Sequence, residues 1–279
     1  MFINNRVIHK DNTSFTDISA LLSDPYDGDK AFVWVVAEDA LYIGSDLPFN
    51  NRFFMVKKKN TVAGAVAVAI WTGEEFTAAE DVQDFTAIGG VPFARSGLIR
   101  FALPSNVGWS SVYDTSEIAE LDDLVTKANF WAKLTFTGAF DFELEYVGFR
   151  FARDADLATY YKDLLTTRSM TAFNSGIPML NWDKSLVMAA EEVITALRKR
   201  ELIWSGNQIL DPEQFTAASC HKLAEMAYGP GALNSPDKVE FAQAKYRESM
   251  SLLTFGVDKN QNGRLDREEK KATGRLSRV

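Results

Sequence analysis

The chain has almost no thiol and almost no imidazole. Its 279 residues include one cysteine, Cys220, and two histidines, His9 and His221. A single thiol excludes an internal disulfide framework. So few soft ligands leave little basis for a zinc or copper site, since a two-histidine site would have to bring the first residues against a helix. Long apolar runs are missing too. The longest nearly uncharged stretch, "TVAGAVAVAIWTG" (61–73), is too short to cross a bilayer as a helix. The opening "MFINNRVIHK" lacks the apolar segment of a secretory signal. The expectation is a chain made and kept in a cytoplasm until it is assembled, with no membrane partner. There is no basic excess: a net charge of −8 gives nucleic acid no general electrostatic footing. Phosphate-binding loops are absent, and the glycines of "IGGVPFARSG" (88–97) lack the strand–turn–helix setting such loops need.

What remains for catalysis is sparse, and the reading is a non-enzymatic protein with no catalytic residues. Cys220 and His221 are neighbours, but adjacent helical residues point about 100° apart. The pair therefore reads as a buried structural thiol beside a histidine, not as a nucleophile and its base. Glu74, Glu75, Glu80 and Asp81 supply enough carboxylates for glycoside cleavage, yet acidic loops of this kind are usually solvated. "VKKKN" (56–60) reads as a protected strand end. Trp34, Trp71, Trp109 and Trp131 fit either a sugar-binding platform or a buried core, and the core is the default.

What is present falls into two patterns, at a length that suits two domains of roughly 100–200 residues each. An apolar fraction of 46% is that of a folded protein. From 31 to 151 the apolar residues alternate in short runs. In "FDFELEYVGFRFA", Phe140, Phe142, Leu144 and Tyr146 share one face, and Asp141, Glu143 and Glu145 the other. About seven or eight such strands predict an antiparallel β-sandwich. "TSEIAELDDLVTKA" (115–128) reads as a short helix on a connection. From 182 the period becomes helical, with a stripe of Leu186, Ala189, Val193, Ile194 and Leu197 behind Asp183. Asp211–Pro212 and Ser235–Pro236 mark the starts of two further helices. The expected class is therefore α+β, two-domain: an N-terminal antiparallel β-sandwich followed by a C-terminal helical bundle.

Near the end stands "DKNQNGRLDREE" (258–269), a twelve-position loop with oxygens at calcium spacing. Asp258, Asn260 and Asn262 take positions 1, 3 and 5, and Gly263 the sharp turn at 6. Arg264 at position 7 offers its backbone carbonyl, Asp266 at 9 reaches the ion through water, and Glu269 at 12 binds through both oxygens. Leu265 ties the loop to its own core. Hard oxygen donors with neither His nor Cys favour calcium. With no second loop to pair with, this reads as a lone structural clip; the plain alternative is a polar corner that holds no metal. The closing "KKATGRLSRV" carries Lys270, Lys271, Arg275 and Arg278 with no acid, either a solvated tail or an arm for an acidic partner.

Two stretches carry a family resemblance. Trp71, Gly73 and Phe76, then Ser96, Gly97, Phe101 and Pro104, then Trp109, Phe130 and Trp131 follow a pattern that resembles β-sandwiches of tailed-phage virion proteins. The helical half, from "NWDKSLVMAA" through the acidic loop, resembles phage head–tail connector (adaptor) proteins. The sandwich departs from a plain adaptor and is an added domain. The resemblance implies an N-terminal arm (1–30), a β-sandwich domain (31–152), a helix and linker (153–181), a helical connector domain (182–257), and an EF-hand-like loop with basic tail (258–279). It implies a homo-oligomeric ring, a dodecamer, below the portal protein in the phage neck, meeting other neck and tail proteins. Packaged DNA would pass through without sequence-specific binding. The rival expectation is a calcium-dependent carbohydrate-binding protein or tail/baseplate adhesin.

Overall fold

The computed structural model describes residues 5–26, 31–34, 40–112, 117–121, 130–166, 181–229, 233–253, 255–265 and 269. The protein is α+β, with two antiparallel sheets and helices that follow them in the chain. Its contacts divide it into two compact units. The first is Met1–Gly148 with Asp258–Arg264; the second is Phe149–Val257 with Leu265–Val279.

In the first unit the strands are β1 (Asn5–Asp11), β2 (Ser14–Asp17), β3 (Phe32–Trp34), β4 (Ala40–Ser45), β5 (Asn51–Lys58), β6 (Val66–Trp71), β7 (Phe76–Ala78), β8 (Glu80–Asp84), β9 (Gly97–Ala102), β10 (Phe130–Phe136) and β11 (Phe142–Gly148). One sheet orders six of them as β2-β1-β4-β10-β6-β7 and the other five as β3-β11-β5-β9-β8. Two strands thus lie within the stretch read as an N-terminal arm. β4 is buried along its whole length because both of its faces are covered. Leu41 and Ile43 join a cluster that also takes Trp34, Phe54, Ile99, Phe142 and Leu144 from the other sheet. Tyr42 turns the opposite way, to Trp71, Trp131 and Ile118.

Alternation in β11 holds only as far as Leu144; beyond it Val147, not Tyr146, joins the core cluster of Phe140, Phe142 and Leu144. Phe142, Leu144 and Tyr146 are buried, as is Phe140 just before the strand, while Asp141 is exposed. Glu145 departs from the pattern, being buried, and the register against β5 shifts between Glu143 and Tyr146. Such an irregularity re-aims side chains locally. Phe142 is the centre of the aromatic core: Trp34 stacks on it at 5.6 Å between ring centroids and Phe93 at 4.3 Å.

The second unit holds α1 (Asp154–Tyr160), α2 (Lys162–Thr166), α3 (Asp183–Lys199), α4 (Thr216–Tyr228) and α5 (Pro236–Leu252). The stripe on α3 is buried throughout. Its C-terminal half packs with Phe149, Phe215 and Met250, and its N-terminal half with Leu157, Leu223 and Ala242. Start signals act differently from expectation. Pro212 opens a 3-10 turn (Pro212–Phe215) ahead of α4, and neither Asp211 nor Ser235 caps through its side chain. Asp211 accepts instead from the Gln214 side-chain amide at 2.7 Å. The expected helix over 115–128 is seen as a 3-10 turn at Ala119–Leu121, with the rest outside the described residues. The 167–180 part of the linker and the tail from 270 also lie outside them. Among the described residues no helix is long and apolar enough to cross a membrane.

Asp183 begins α3 and pairs with Arg150, their side chains 11% and 7% exposed. A carboxylate at a helix N-terminus is favoured by the helix dipole, and burial lowers the pKa of Arg150 while Asp183 opposes that shift. Removing one partner from a buried pair costs about 3–5 kcal/mol, whereas replacing both with apolar groups is often near neutral. Asp183→Ala is therefore expected to lower the urea midpoint of the second unit sharply, and Arg150→Met with Asp183→Leu to recover most of it. Equal losses in the two variants would show that the pair contributes no more than its packing.

Candidate metal centre

After α5 the chain runs through Phe255 and Val257, both buried with the α3 cluster. Between them Gly256 leaves room for Leu265: a Cβ at 256 would stand 2.9 Å from both Leu265 methyl carbons. Leu265, expected to tie the loop down, lies against that bare backbone.

The loop is then shaped by side chains bonding to its own amides. Asp258 is 1% exposed, and its carboxylate accepts from the backbone N–H of Asn262 at 3.1 Å and of Gly263 at 2.7 Å. Asn260 Oδ1 accepts from the Asn262 N–H at 3.2 Å, and Asn262 Oδ1 from the Arg264 N–H at 2.8 Å. These are Asx-type bonds, which Asp and Asn form where the backbone leaves regular structure. Gln261 and Gly263 take φ of +59° and +77°, so the chain doubles back within a few residues. Position 263 needs glycine twice over. Its φ is left-handed, and a Cβ would stand 2.8 Å from Leu103 and from the Trp109 ring.

Arg264 has a role the spacing does not suggest. Beyond offering a carbonyl at position 7, its Nη2 donates to the Pro104 carbonyl and, at 2.8 Å, to that of Val107. Residues 258–264 thus dock on the 103–109 turn inside the first unit. "PSNVGW" carries no local signal that a distant loop will bind there.

Of the six candidate ligands, Asp258, Asn260, Asn262 and Arg264 sit in this one turn. Glu269 is described and buried, 7% exposed, and Asp266 lies outside the described residues. Among the described residues no group of three His, Cys, Asp or Glu is placed to hold a metal. The donors at hand are carboxylate and amide oxygens, a hard set suited to calcium.

Other sequence candidates disperse. Glu74, Glu75, Glu80 and Asp81 are all exposed. Trp34, Trp71 and Trp131 are buried, and Trp109 packs with Phe49 and Phe130. Cys220 is fully buried, and desolvation pushes its thiol up to about 12. His221 Nδ1 is 2.8 Å from the Tyr161 hydroxyl, with the Tyr160 ring beside it. No protein-family model matches the chain, and a search of curated proteins finds no relative.

Two expectations follow. Gly263→Ala adds about 1–2 kcal/mol for the left-handed backbone and about 1–3 kcal/mol for overpacking against Trp109. The loop should then leave the 103–109 turn, seen as a red-shifted Trp109 emission in a variant whose other tryptophans are replaced by phenylalanine. Unchanged emission would show that the turn holds the loop without the glycine. The second concerns His221, whose pKa desolvation lowers, with Lys245 acting in the same direction and Glu248 against it. A depressed folded pKa gives stability that is present above the unfolded value near 6.5 and lost as pH falls through the folded one. His221→Gln should flatten the fall in urea midpoint between neutral and mildly acid pH; an identical fall in both proteins would assign it elsewhere.

Proposed function

We propose that the chain is a non-enzymatic structural protein of a tailed-phage virion, a head–tail connector (adaptor) that rings the portal and joins head to tail. In this reading the two sheets are the faces of one β-sandwich, added to a helical bundle that makes the ring. The observation that carries it is the apolar surface left on the helical unit. Trp204, Phe241 and Leu252 are 65%, 56% and 72% exposed, two of them on α5. Large side chains left open on so small a unit suit a neighbour's surface. The ring, a dodecamer, would sit in the phage neck after assembly in the host cytoplasm, with portal on one side and neck or tail proteins on the other. DNA passes through its channel without base-specific contact.

Calcium belongs to the same proposal. Its ligands are Asp258, Asn260 and Asn262, the Arg264 carbonyl, Asp266 and Glu269. An ion there would fix the direction of the segment that follows, lowering the ordering cost when a neighbour is met. The rival, a calcium-dependent carbohydrate-binding or tail/baseplate adhesin, needs aromatic faces open to sugar. Burial of Trp34, Trp71 and Trp131, at 0%, 6% and 0% exposure, speaks against that use of them.

The connector reading predicts portal binding by the full chain, with the light-scattering mass rising to that of a closed ring on the portal. A mass that stays monomeric with portal present contradicts it. For calcium, calorimetric titration of the wild type should give weak binding, about 10⁻⁴ M or poorer for a lone loop, and Glu269→Gln should abolish it. Equal heats for both proteins would leave the loop a polar corner.

A further inference from the structure

β6 separates two loop ends of opposite character. Its six residues place them roughly 20 Å apart at about 3.3 Å per residue. At its start lies 60–65. Its partner β10 brings Phe136 opposite Val66, so 137–140 lies at the same end. The 86–93 loop is bonded there as well. Gly64 N donates to Gly90 O at 3.1 Å, Asn60 N to Phe93 O at 3.1 Å, and Asn60 Nδ2 to Pro92 O at 2.9 Å. Ala65 N and Thr137 Oγ1 close the set at 2.9 Å. None of the residues in 60–66, 86–93 and 137–140 is charged, in a chain where 24% are, so the absence reads as a feature of this end. Val62 and Ile88 stand 38% and 54% exposed. Around them are the exposed cations Lys57, Lys58, Lys59 and Arg95, interleaved with fewer acids: Lys58 pairs with Asp141 at 2.6 Å and lies opposite Glu143, and Asp84 interacts with Arg95.

The other end of β6 is acidic. Trp71 leads into a turn closed by Thr72 N to Glu75 O at 3.1 Å and pinned by Ser110 N to Trp71 O at 3.1 Å. That turn presents Glu74 and Glu75 to solvent, neither in an ion pair among the described residues. Asp46, exposed, follows β4 at this end, since Ser45 lies opposite Phe130 at the start of β10.

We propose that these ends meet head to tail: the uncharged, basic-collared end of one copy seats on the acidic turn of a second copy. Charge complementarity selects this occupant. Pairing two basic ends sets lysines against lysines, whereas basic on acidic sets opposite charges together. Different patches meeting form a heterologous contact, which closes into a ring or runs on as a filament. Both ends are hydrogen-bonded internally, so little ordering cost accompanies contact. Val62 and Ile88 supply the apolar centre. The proposal rests on the ring reading and adds a contact in the first unit to those of the helical unit.

Sedimentation velocity of the full chain tests it. Wild type should self-associate, less so at high salt. Ile88→Asp, Lys57→Glu with Lys59→Glu, and Glu74→Lys with Glu75→Lys should each weaken association by about tenfold or more. An equimolar mixture of the two charge variants should restore it, because every end then has an opposite. A monomeric wild type, or variants that associate as wild type does, overturns the proposal. Loss with no recovery in the mixture overturns it too, assigning the basic end to a different acidic protein. The two readings fail separately. Self-association that obeys the charge swap without portal binding sinks the connector alone, and portal binding by unaffected variants sinks this contact alone.

Discussion

The carboxylate of Asp258 is the point on which the C-terminal turn depends. Buried almost completely, it holds two successive amides, those of Asn262 and Gly263. Without that acceptor the Gly263 N–H would lose its partner, and leaving a buried donor unsatisfied costs about 1–3 kcal/mol; the Asn262 N–H would keep only Asn260 Oδ1. The turn sets the left-handed backbone at Gly263, and only a glycine there lets the chain close on Trp109 and Leu103. Arg264 then follows with its two carbonyl acceptors. One side chain thus organises the loop and its docking.

The same economy appears in the first unit's sheets. β4, with both faces covered, is mostly apolar along its length, while β9, with one covered face, alternates in burial. That difference leaves the loop ends as the places where exposure and charge vary freely. The uncharged end and the acidic turn are both closed by backbone hydrogen bonds, so their side chains are presented by fixed supports.

Much of this was legible in the residues. The α+β class followed from the change of period near residue 182, and the buried stripe of α3 was read residue by residue, as was the inward face of β11 up to Leu144, where the register shift puts Val147 in the place expected for Tyr146. β1 and β2 were not read as strands, because "NRVIHKD" and "SFTD" mix polar and apolar residues without regular alternation. β7 is only three residues long, and the acidic β8 exists through pairing with β9 rather than through propensity. The loop's oxygen positions were visible as spacing. Its docking site was not, since the bonds from Arg264 reach residues some 160 positions earlier and no local pattern encodes them.

We propose, then, a ring component at a phage portal, with its C-terminal loop closed by calcium. Electron cryo-microscopy of the full chain mixed with portal in calcium tests it most directly. The account predicts a closed ring of this protein against the portal, with density for an ion among Asp258, Asn260, Asn262 and Glu269. Portal particles bare of the chain, at concentrations where it remains folded, would contradict it.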